Sequence, residues 1–317
     1  MKRPAFMRPL CVIILNYGTP ALTIASAESA LPEVEALGGE LVIVDNASPD
    51  DSWAQINNWR KALPALAPVE LILSPRNGGF AFGNNLGLKA RKAEFYVLLN
   101  SDTLVRPGAF AAMLAAMRAD PRLGVVGPKI TDEAGAEQTS RFRAISPLGE
   151  FVEASGLGVF YRLFRRAVVP IAPGETDEAD WIGFPCVMLR SQMIDEIGGL
   201  DEGYFMYFED CDYCRRAVKN GWRLATVADA EVAHFHGKSS SVEGNIKAKK
   251  RLPAYYYASR ARYFTRWYGK GGFIAANLLW YAGRIASRLR FFALKTPHRV
   301  PEGAAGDIWA REKPKAG

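Results

Sequence analysis

Asp102 is the first residue whose type and position could carry chemistry. It follows a run of five apolar residues, Phe95–Leu99, and the polar residues Asn100 and Ser101. A short apolar run without a polar break is typical of a central strand of a parallel sheet, covered on both faces. Open α/β sheets bind ligands at the carboxyl ends of their strands, where a carboxylate can hold a divalent cation against a phosphate. The alternative is that Asp102 only caps the turn before a helix that begins near Pro107.

A second acidic cluster, Glu209, Asp210 and Asp212, follows the bulky residues Phe205–Phe208. The predicted helix that begins here would favour carboxylates through its dipole, whatever their function. The functional interpretation is that one carboxylate, held beside apolar surface, serves as a general base. Asp212 and Arg216 are four residues apart, so we expect them to form a structural ion pair.

Two histidines, His234 and His236, lie on one face of a predicted strand and could bind a metal ion. Together with Cys211 and Cys214 they could form a zinc site with cysteine and histidine ligands. We favour the simpler alternative for the cysteines, because small buried thiols are common on amphipathic helices.

Polar pairs end the first two predicted strands. Asn16-Tyr17 follows the apolar run Leu10–Leu15, and Asp45-Asn46 follows the run Leu41–Val44. Polar groups at adjacent strand ends could bracket a nucleotide base and its ribose. Both pairs are also natural turn formers, so a purely structural role is the alternative.

A glycine-rich loop spans Asn77–Asn85 and leads from a predicted strand into a helix. Free backbone N–H groups at a helix N-terminus form a natural anion site. Tight packing of the loop is the alternative interpretation. The loop matches neither the dinucleotide fingerprint nor the Walker pattern, so an NAD or ATP fold is not supported.

The elements that must position these residues alternate as β-α-β-α-β-α-β over the first hundred residues, with short loops. This order predicts an α/β fold with a mostly parallel, doubly wound central sheet flanked by helices. From Thr131 to Asp180 the pattern loosens into glycines, prolines and scattered aromatics. Beyond it we predict a strand over Trp181–Leu189 and two basic, aromatic helices, Tyr255–Tyr268 and Phe273–Phe292.

The composition is that of an ordinary globular protein of 317 residues. Four cysteines without an evident disulfide framework are typical of a reducing compartment. The first apolar run is too short for a signal peptide, and no stretch reaches the ~20 apolar residues of a membrane-spanning helix. We therefore expect a cytoplasmic protein. The net charge of +7 is concentrated between Lys238 and Lys295, where Glu243 is the single carboxylate, which predicts an anionic partner.

The order and spacing of the motifs resemble GT-A fold glycosyltransferases of family 2, and the most similar group is the bacterial rhamnosyltransferase-like branch. The likeness runs from about Leu10 to Ser241. In chain order it is carried by Asn16-Tyr17, Asp45–Ser48, Asn77–Ala81, Asn100–Asp102, Phe208–Asp212, and His234 with Gly237 and Ser239.

The resemblance implies a nucleotide-sugar donor, dTDP-rhamnose or a UDP-sugar, bound to the first half of the sheet. Asp45 would hold the pyrimidine, and the glycine-rich loop would lie near the donor phosphates. The residues that the resemblance assigns to the donor are Asn16, Tyr17, Asp45, Asn77, Gly78, Gly79, Asn85, Asn100 and Ser101.

The same resemblance implies a divalent cation, Mg²⁺ or Mn²⁺, and an inverting reaction. Asp102 matches the last aspartate of the family's D-x-D metal motif, whose first position is here Asn100. His234 matches a histidine that completes the metal site in some relatives. Glu209-Asp210 matches the catalytic pair, in which Asp210 would take the proton of the acceptor hydroxyl.

On the acceptor side the resemblance points to Gly183, Phe184, Pro185 and Cys186. It implies a polyprenyl-diphosphate-linked or glycan acceptor in cell-envelope glycan synthesis. The basic segment 241–296 is expected to associate with the anionic inner face of the cell membrane, or alternatively to pack on the catalytic domain. Nucleic-acid binding is disfavoured, because no nucleic-acid module is evident.

These expectations divide the chain into a catalytic domain over 1–240, with a donor half over about 1–130 and an acceptor half over about 131–240. The basic extension 241–296 and a disordered tail, 297–317, complete the chain. Two other functions stay open: a UDP-hexose-using enzyme of the same fold, and a non-catalytic nucleotide-sugar-binding or membrane assembly protein.

Overall fold

The computed structural model describes residues 7–235, 244–245, 248–294 and 299–311, with the backbone alone over 289–294. His236, Gly237 and Ser239 lie outside the described residues. The first half of the chain alternates strands and helices as the sequence predicts. Its elements are β1 (Arg8–Asn16), α1 (Pro20–Ala36), β2 (Glu40–Asp45), α2 (Ser52–Ala62), β3 (Val69–Leu73), α3 (Gly79–Ala90) and β4 (Ala93–Asn100).

The second half is less regular and includes short strands and helices. Its elements are β5 (Thr103–Val105), α4 (Ala109–Ala119), β6 (Leu123–Thr131), β7 (Arg141–Phe142), α5 (Pro147–Ser155), α6 (Gly158–Leu163), a 3₁₀ turn (Arg165–Ala167), β8 (Trp181–Ile182), β9 (Cys186–Arg190), α7 (Ser191–Ile197), α8 (Glu209–Lys219), β10 (Arg223–His234), α9 (Ala254–Leu294) and α10 (Ala304–Asp307).

The eight-stranded sheet has the order β3-β2-β1-β4-β9-β6-β10-β5. Its first four strands are parallel, as predicted, and β6 is parallel to β10. In contrast, β9 runs antiparallel between β4 and β6, and β5 runs antiparallel to β10, so the sheet is mixed. The α/β class is confirmed. The reversal was not predicted, because an apolar run carries no information about the direction of a strand.

The strand predicted over Trp181–Leu189 is two strands. Between them lie Gly183, Phe184 and Pro185, and β8 pairs with β7 in a separate two-stranded sheet. Proline has no N–H to donate to a strand ladder, which favours a break at this point. The break brings the three residues to the edge of the site described below.

Both faces of the sheet are covered. One face packs against α1, α2 and α4 around Phe110 and Met113, and the other packs against α3, α7 and α8 around Tyr213. In the central strand β1, the side chains from Leu10 to Ile14 have no exposed surface. Burial on both faces is what an unbroken apolar run requires.

The C-terminal helix α9 is interrupted at Gly269, whose φ of 68° is readily available only to glycine. The two predicted helices therefore meet where the structure changes direction. The first part of α9 packs on the rest of the fold, where Tyr257, Tyr263 and Phe264 are buried. Most aromatic side chains of the basic segment thus contribute to a core, as the packing alternative proposed, and do not form a membrane-facing stripe.

Part of the tail that we predicted to be disordered, residues 299–311, contains the short helix α10. Ala304 and Ile308 are buried against Leu252 and Tyr257, and Asp307 accepts two hydrogen bonds from Arg251. A few apolar residues suffice to anchor a short segment when a neighbouring helix exposes a matching surface. Over the residues that the structure describes, no helix is long and apolar enough to cross a membrane.

Candidate active site

A cavity of about 640 Å³ opens at the carboxyl ends of β1 and β4 and at the start of α8. Its walls come from both halves of the chain. The predicted site residues that line it are Tyr17, Asn77, Gly79, Asn100, Ser101, Asp102, Gly183, Phe184, Pro185, Glu209, Asp210 and His234. Most residues of the predicted site therefore line one cavity.

Asp102 and His234 lie side by side in this cavity. Asp102 directly precedes β5, and the antiparallel pairing of β5 with β10 sets His234 opposite Thr103. His234 Nε2 is 3.4 Å from Asp102 Oδ1, and the two residues are only 5% and 1% exposed. Backbone pairing, rather than a flexible loop, thus holds both groups in place.

The chemistry of this pair fits a divalent cation such as Mn²⁺ or Mg²⁺. Carboxylate oxygen suits either ion, and imidazole nitrogen is a common ligand for transition metals. The described residues form no cluster of three or more potential ligands, so most coordination positions would be left to a phosphate and water.

The zinc interpretation is not supported. Cys211 and Cys214 are both buried in α8, and their sulfurs contact backbone carbonyls of Phe208 and Ile182. Burial raises the pKa of the Cys214 thiol, so its neutral form is favoured. Both cysteines therefore serve as small core residues.

Glu209 and Asp210 begin α8 after an unusual backbone turn. Tyr207 and Phe208 both have φ of 70°, a left-handed conformation that costs bulky residues about 1–3 kcal/mol each. Two such residues next to a pair of carboxylates are typical of strain held at a functional site. The turn presents the first residues of the helix to the cavity.

The two carboxyl groups differ in their electrostatics. Burial raises the pKa of Asp210 to about 6, against the hydrogen bond that its Oδ1 accepts from the Cys211 N–H at 2.8 Å. Burial, and then the charge of Asp210, raises the pKa of Glu209 well above its ordinary value. Glu209 is therefore the more weakly acidic of the two, and Asp210 ionises first. An ionised carboxylate with a pKa close to neutrality is suited to general-base chemistry.

The glycine-rich loop reaches the cavity between Asn46 and Phe205. Asn46 Nδ2 donates to Asn77 Oδ1 at 3.0 Å and to the Gly79 carbonyl at 3.2 Å. The Phe80 N–H donates to the Phe205 carbonyl at 2.7 Å. Gly79 has φ of +86°, and a Cβ there would overlap the backbone of Phe205. The loop is thus hydrogen-bonded to the segment that precedes Glu209 and Asp210.

Four of the predicted donor residues do not line the cavity. Asn16 is buried and donates from Nδ2 to Asp45 Oδ2 at 2.8 Å, while Asp45 Oδ1 accepts from the Ser48 N–H at 2.8 Å. Asn85 is buried and bonded to both the N–H and the carbonyl of Leu200. Gly78 also lies outside the lining. The hydrogen bonds of Asn16 and Asn85 thus stabilise the fold. A direct donor contact by Asp45 stays a prediction.

On the acceptor side, Cys186 is fully buried in β9 and does not reach the cavity. The structure adds aromatic residues that the sequence analysis did not assign. Trp181 stacks on Phe142 with ring centroids 4.1 Å apart, and Tyr255 reaches the cavity from α9. Aromatic residues in the region without periodicity were the only sequence signal for this wall.

The comparisons with known proteins agree with this geometry. The model of the family described as "Glycosyl transferase family 2" matches residues 11–169, and that of "Glycosyl transferase family group 2" matches 96–296. The chain belongs to glycosyl transferase family 2.

Among curated relatives, the chain is 32% identical over 155 residues to an N-acetylglucosaminyl-diphospho-decaprenol L-rhamnosyltransferase of Mycobacterium tuberculosis; the match covers 46% of this chain and 48% of that protein. It is 24% identical over 165 residues to an Escherichia coli rhamnosyltransferase, covering 50% and 61%. The chain thus spans about half the length of the curated relatives it matches first.

Among solved structures, a mannosyltransferase from Pyrobaculum calidifontis in complex with GDP-Man and Mn²⁺ has a TM-score of 0.58 and 16% identity, covering 92% of this chain and 79% of that one. At this identity the likeness establishes the shared fold. The neighbours that contain Mn²⁺ agree with a divalent cation in this class of fold in general.

Proposed function

We propose that the protein is an inverting glycosyltransferase that moves a sugar from a nucleotide-sugar donor to a hydroxyl of an acceptor. The observation that carries the proposal is one cavity that contains both the Asp102–His234 pair and an Asp210 whose pKa is raised towards neutrality. Rhamnose from dTDP-rhamnose is the favoured donor, because two of the curated relatives are named rhamnosyltransferases. A UDP-hexose is the alternative donor.

Asp210 is proposed as the general base. Its ionised carboxylate accepts the proton of the acceptor hydroxyl as that oxygen bonds to the anomeric carbon. The bond from the anomeric carbon to the diphosphate oxygen breaks on the opposite face, and the diphosphate leaves with the electron pair. A single displacement of this kind inverts the anomeric configuration. Glu209, whose pKa burial and the charge of Asp210 raise, holds its proton more firmly than Asp210 does.

The departing diphosphate carries the negative charge of the reaction, and the site offers it stabilising groups. Asp102 and His234 would hold a divalent cation, which supplies positive charge to the leaving group when bound. The Asn77–Phe80 loop lies at the N-terminus of α3, where the helix dipole favours negative charge. Tyr17 and Ser101 line the same end of the cavity.

For the acceptor we propose a lipid-linked or polysaccharide glycan, bound on the side of Gly183, Phe184 and Pro185. A polyprenyl-diphosphate carrier is consistent with the name of the mycobacterial relative. Such a carrier would place the enzyme at the inner face of a membrane, with the second part of α9 as the contacting element.

The test measures sugar transfer and donor hydrolysis by the purified protein. The donors are dTDP-rhamnose, UDP-glucose, UDP-galactose and UDP-GlcNAc. Each donor is assayed with Mg²⁺, with Mn²⁺ and with EDTA. We expect cation-dependent release of one nucleotide. We also expect a cation-dependent rise in Tm with that donor, which Asp102→Asn removes. Silence across the panel, without any Tm shift, would favour the non-catalytic binding protein instead.

A further inference from the structure

A second cavity, of about 490 Å³, has no role in the reaction described above. Trp181 borders both cavities, and Cys211, which lines the second, directly follows Asp210. The two cavities thus share Trp181 as a wall, and the second runs along α8, the helix that carries the proposed base. Arg215 and Lys219, one helical turn apart on α8, supply its positive charge.

Arg215 is held in a box of aromatic rings. Its guanidinium carbon lies 4.5 Å from the ring centroid of Trp267 and 4.8 Å from that of Tyr268. Its Nη1 donates to the Tyr263 hydroxyl at 3.1 Å. The hydroxyls of Tyr263 and Tyr268 in turn donate to the Ile145 carbonyl, so the box and the guanidinium are fixed in orientation.

The charge of Arg215 has no counter-ion in the part of the chain that the structure describes. Its neighbours differ: Arg216 pairs with Asp212, and Arg262 pairs with Asp201. A guanidinium stays charged at every accessible pH and has five N–H donors. Half-burying a charged guanidinium group without a carboxylate partner loses part of its hydration free energy. A bound anion would offset that loss.

One carboxylate, Asp180, also lines this cavity, and its Oδ2 accepts from the Ala144 N–H at 2.8 Å. Arg215 and Lys219 together outweigh it, so the cavity remains cationic. A rigid guanidinium fork suits the paired oxygens of a phosphate or diphosphate. The aromatic walls would pack against whatever the phosphate carries.

We infer that this cavity is a phosphate subsite that binds the phosphate or diphosphate of the acceptor, with Arg215 as its principal contact and Lys219 at its rim. This inference rests on the proposed function for the identity of the ligand, since the cavity shares Trp181 with the catalytic one and no residue of the glycine-rich loop lines it. Arg215 acts in binding and specificity, so its loss affects acceptor affinity and not the chemical step.

The first experiment needs no turnover. Inorganic diphosphate is titrated into the protein in EDTA, and binding is followed by tryptophan fluorescence, to which Trp181 and Trp267 in the cavity wall report. We expect Arg215→Gln to weaken binding at least tenfold and Lys219→Gln about threefold, in line with charge-assisted hydrogen bonds. Arg118→Gln, which removes an exposed arginine paired with Glu94, should bind as the wild type does. Unchanged affinity in both cavity variants would overturn the subsite.

The second experiment assigns the phosphate to the acceptor. With a short, water-soluble prenyl-diphosphate sugar, Arg215→Gln should raise the acceptor KM at least tenfold and leave kcat and the donor KM unchanged. With the neutral alkyl glycoside of the same sugar, the two proteins should have equal KM. Loss of binding to phosphatidylglycerol vesicles in Arg215→Gln, with an unchanged acceptor KM, would overturn the acceptor assignment in favour of a lipid headgroup. Absence of turnover with every donor would contradict the proposed function while leaving the diphosphate result standing.

Discussion

At the scale of single residues, the site depends on two adjacent carboxyl groups that hold their protons differently. Burial raises the pKa of both, and the charge of Asp210 adds to the effect on Glu209. Two neighbouring acids in one low-dielectric setting do not ionise together, because each charge opposes the other. The roles that we propose, Asp210 as base and Glu209 as its more weakly acidic neighbour, therefore follow from their surroundings, although the two side chains are chemically alike.

This division predicts opposite outcomes for two isosteric substitutions. Asp210→Asn removes the base and should lower kcat by about 10²–10⁴-fold while leaving donor affinity unchanged. Glu209→Gln imitates the protonated form and should keep kcat within about tenfold of the wild type. Steady-state kinetics and donor titration measure both. An active Asp210→Asn enzyme would rule out this residue as the base.

The raised pKa of Asp210 also predicts how stability depends on pH. Its pKa is about 6 in the folded protein, against an ordinary value of 3.8, so folding is penalised once the group ionises. Below the pKa that Asp210 has in the unfolded state, the group does not lower the free energy of unfolding. That free energy then falls as the pH rises from about 4 to 6. Asp210→Asn should therefore be more stable than the wild type at pH 8, by about 1–3 kcal/mol, and nearly equal to it below pH 4.

Urea unfolding of the two proteins at pH 8 and pH 3.5 measures this difference. The exposed Asp195→Asn serves as the control and should show no gain at either pH. A gain for Asp210→Asn that is independent of pH would show that the effect arises from something other than ionisation.

At the scale of elements, some of the site was visible in the sequence and some was not. The strand that leads to Asp102 was predictable because an apolar run marks a buried strand wherever it lies. The Asp212–Arg216 pair was predictable from helix spacing alone and is confirmed at 3.0 Å. The contribution of Tyr255 was not predictable, since it depends on where α9 docks.

The donor side shows the same limit. Asn16 and Asp45 were assigned to the donor as polar residues at adjacent strand ends, and the structure bonds them to each other. Sequence order predicts that two polar side chains lie near one another. It does not predict whether they contact a ligand or form a hydrogen bond with each other. The antiparallel direction of β9 was missed for a related reason, because its partner strands are distant in sequence.

The contact between the glycine-rich loop and the segment before α8 yields a third prediction. Gly79→Ala forces a Cβ into the Phe205 carbonyl at a residue with positive φ, and should cost about 2–4 kcal/mol in the free energy of unfolding. It should also weaken donor binding, because the loop must move. Gly158→Ala, where nothing lies within 4 Å of the new Cβ, is the matched control. Normal stability and donor affinity in Gly79→Ala would contradict the role of the loop.

The fourth prediction concerns the junction of α8 and α9. Asp212 has no exposed surface, and its Oδ1 accepts from Trp267 Nε1 at 2.9 Å and contacts Arg266 Nε at 3.2 Å, so it joins the two helices. Asp212→Asn leaves the largely buried Arg216 without its charged partner and should cost about 3–5 kcal/mol. Glu94→Gln removes an exposed ion pair and should cost at most about 1 kcal/mol. Chemical unfolding compares them, and equal costs would contradict this view of the junction.

At the scale of the whole molecule, α9 has two parts with different surroundings. Before Gly269 it is buried against the catalytic domain, and it belongs to the same folded unit. After Gly269, Ile274, Leu278 and Ile285 are strongly exposed and lie on one face of the helix by their spacing. The charge of the basic segment was thus easily seen in the sequence, whereas the division of its aromatic and aliphatic residues between core and surface required the docked helix.

The exposed face has the chemistry of an interfacial helix. Lys270 and Arg288 are exposed near its two ends, and Trp309 is exposed and donates to the Tyr281 hydroxyl. Apolar side chains flanked by cations and an aromatic ring bind the surface of an anionic bilayer without spanning it. This surface would hold the enzyme beside a lipid-linked acceptor, and the first part of α9 would keep the catalytic cavity at a fixed distance from the bilayer.

The fifth prediction tests this arrangement by replacing both apolar contacts, in Leu278→Glu/Ile285→Glu. Each side chain that can no longer enter the bilayer forfeits about 1.5–3 kcal/mol, so binding to phosphatidylglycerol vesicles should fall at least tenfold in a sedimentation assay. Because both residues are exposed, Tm and turnover of a water-soluble acceptor should not change. Leu66→Glu, at a fully exposed leucine of the catalytic domain, should bind vesicles as the wild type does. Equal vesicle binding by the double variant would remove α9 as the membrane contact and leave its role as that of a structural support for the catalytic cavity.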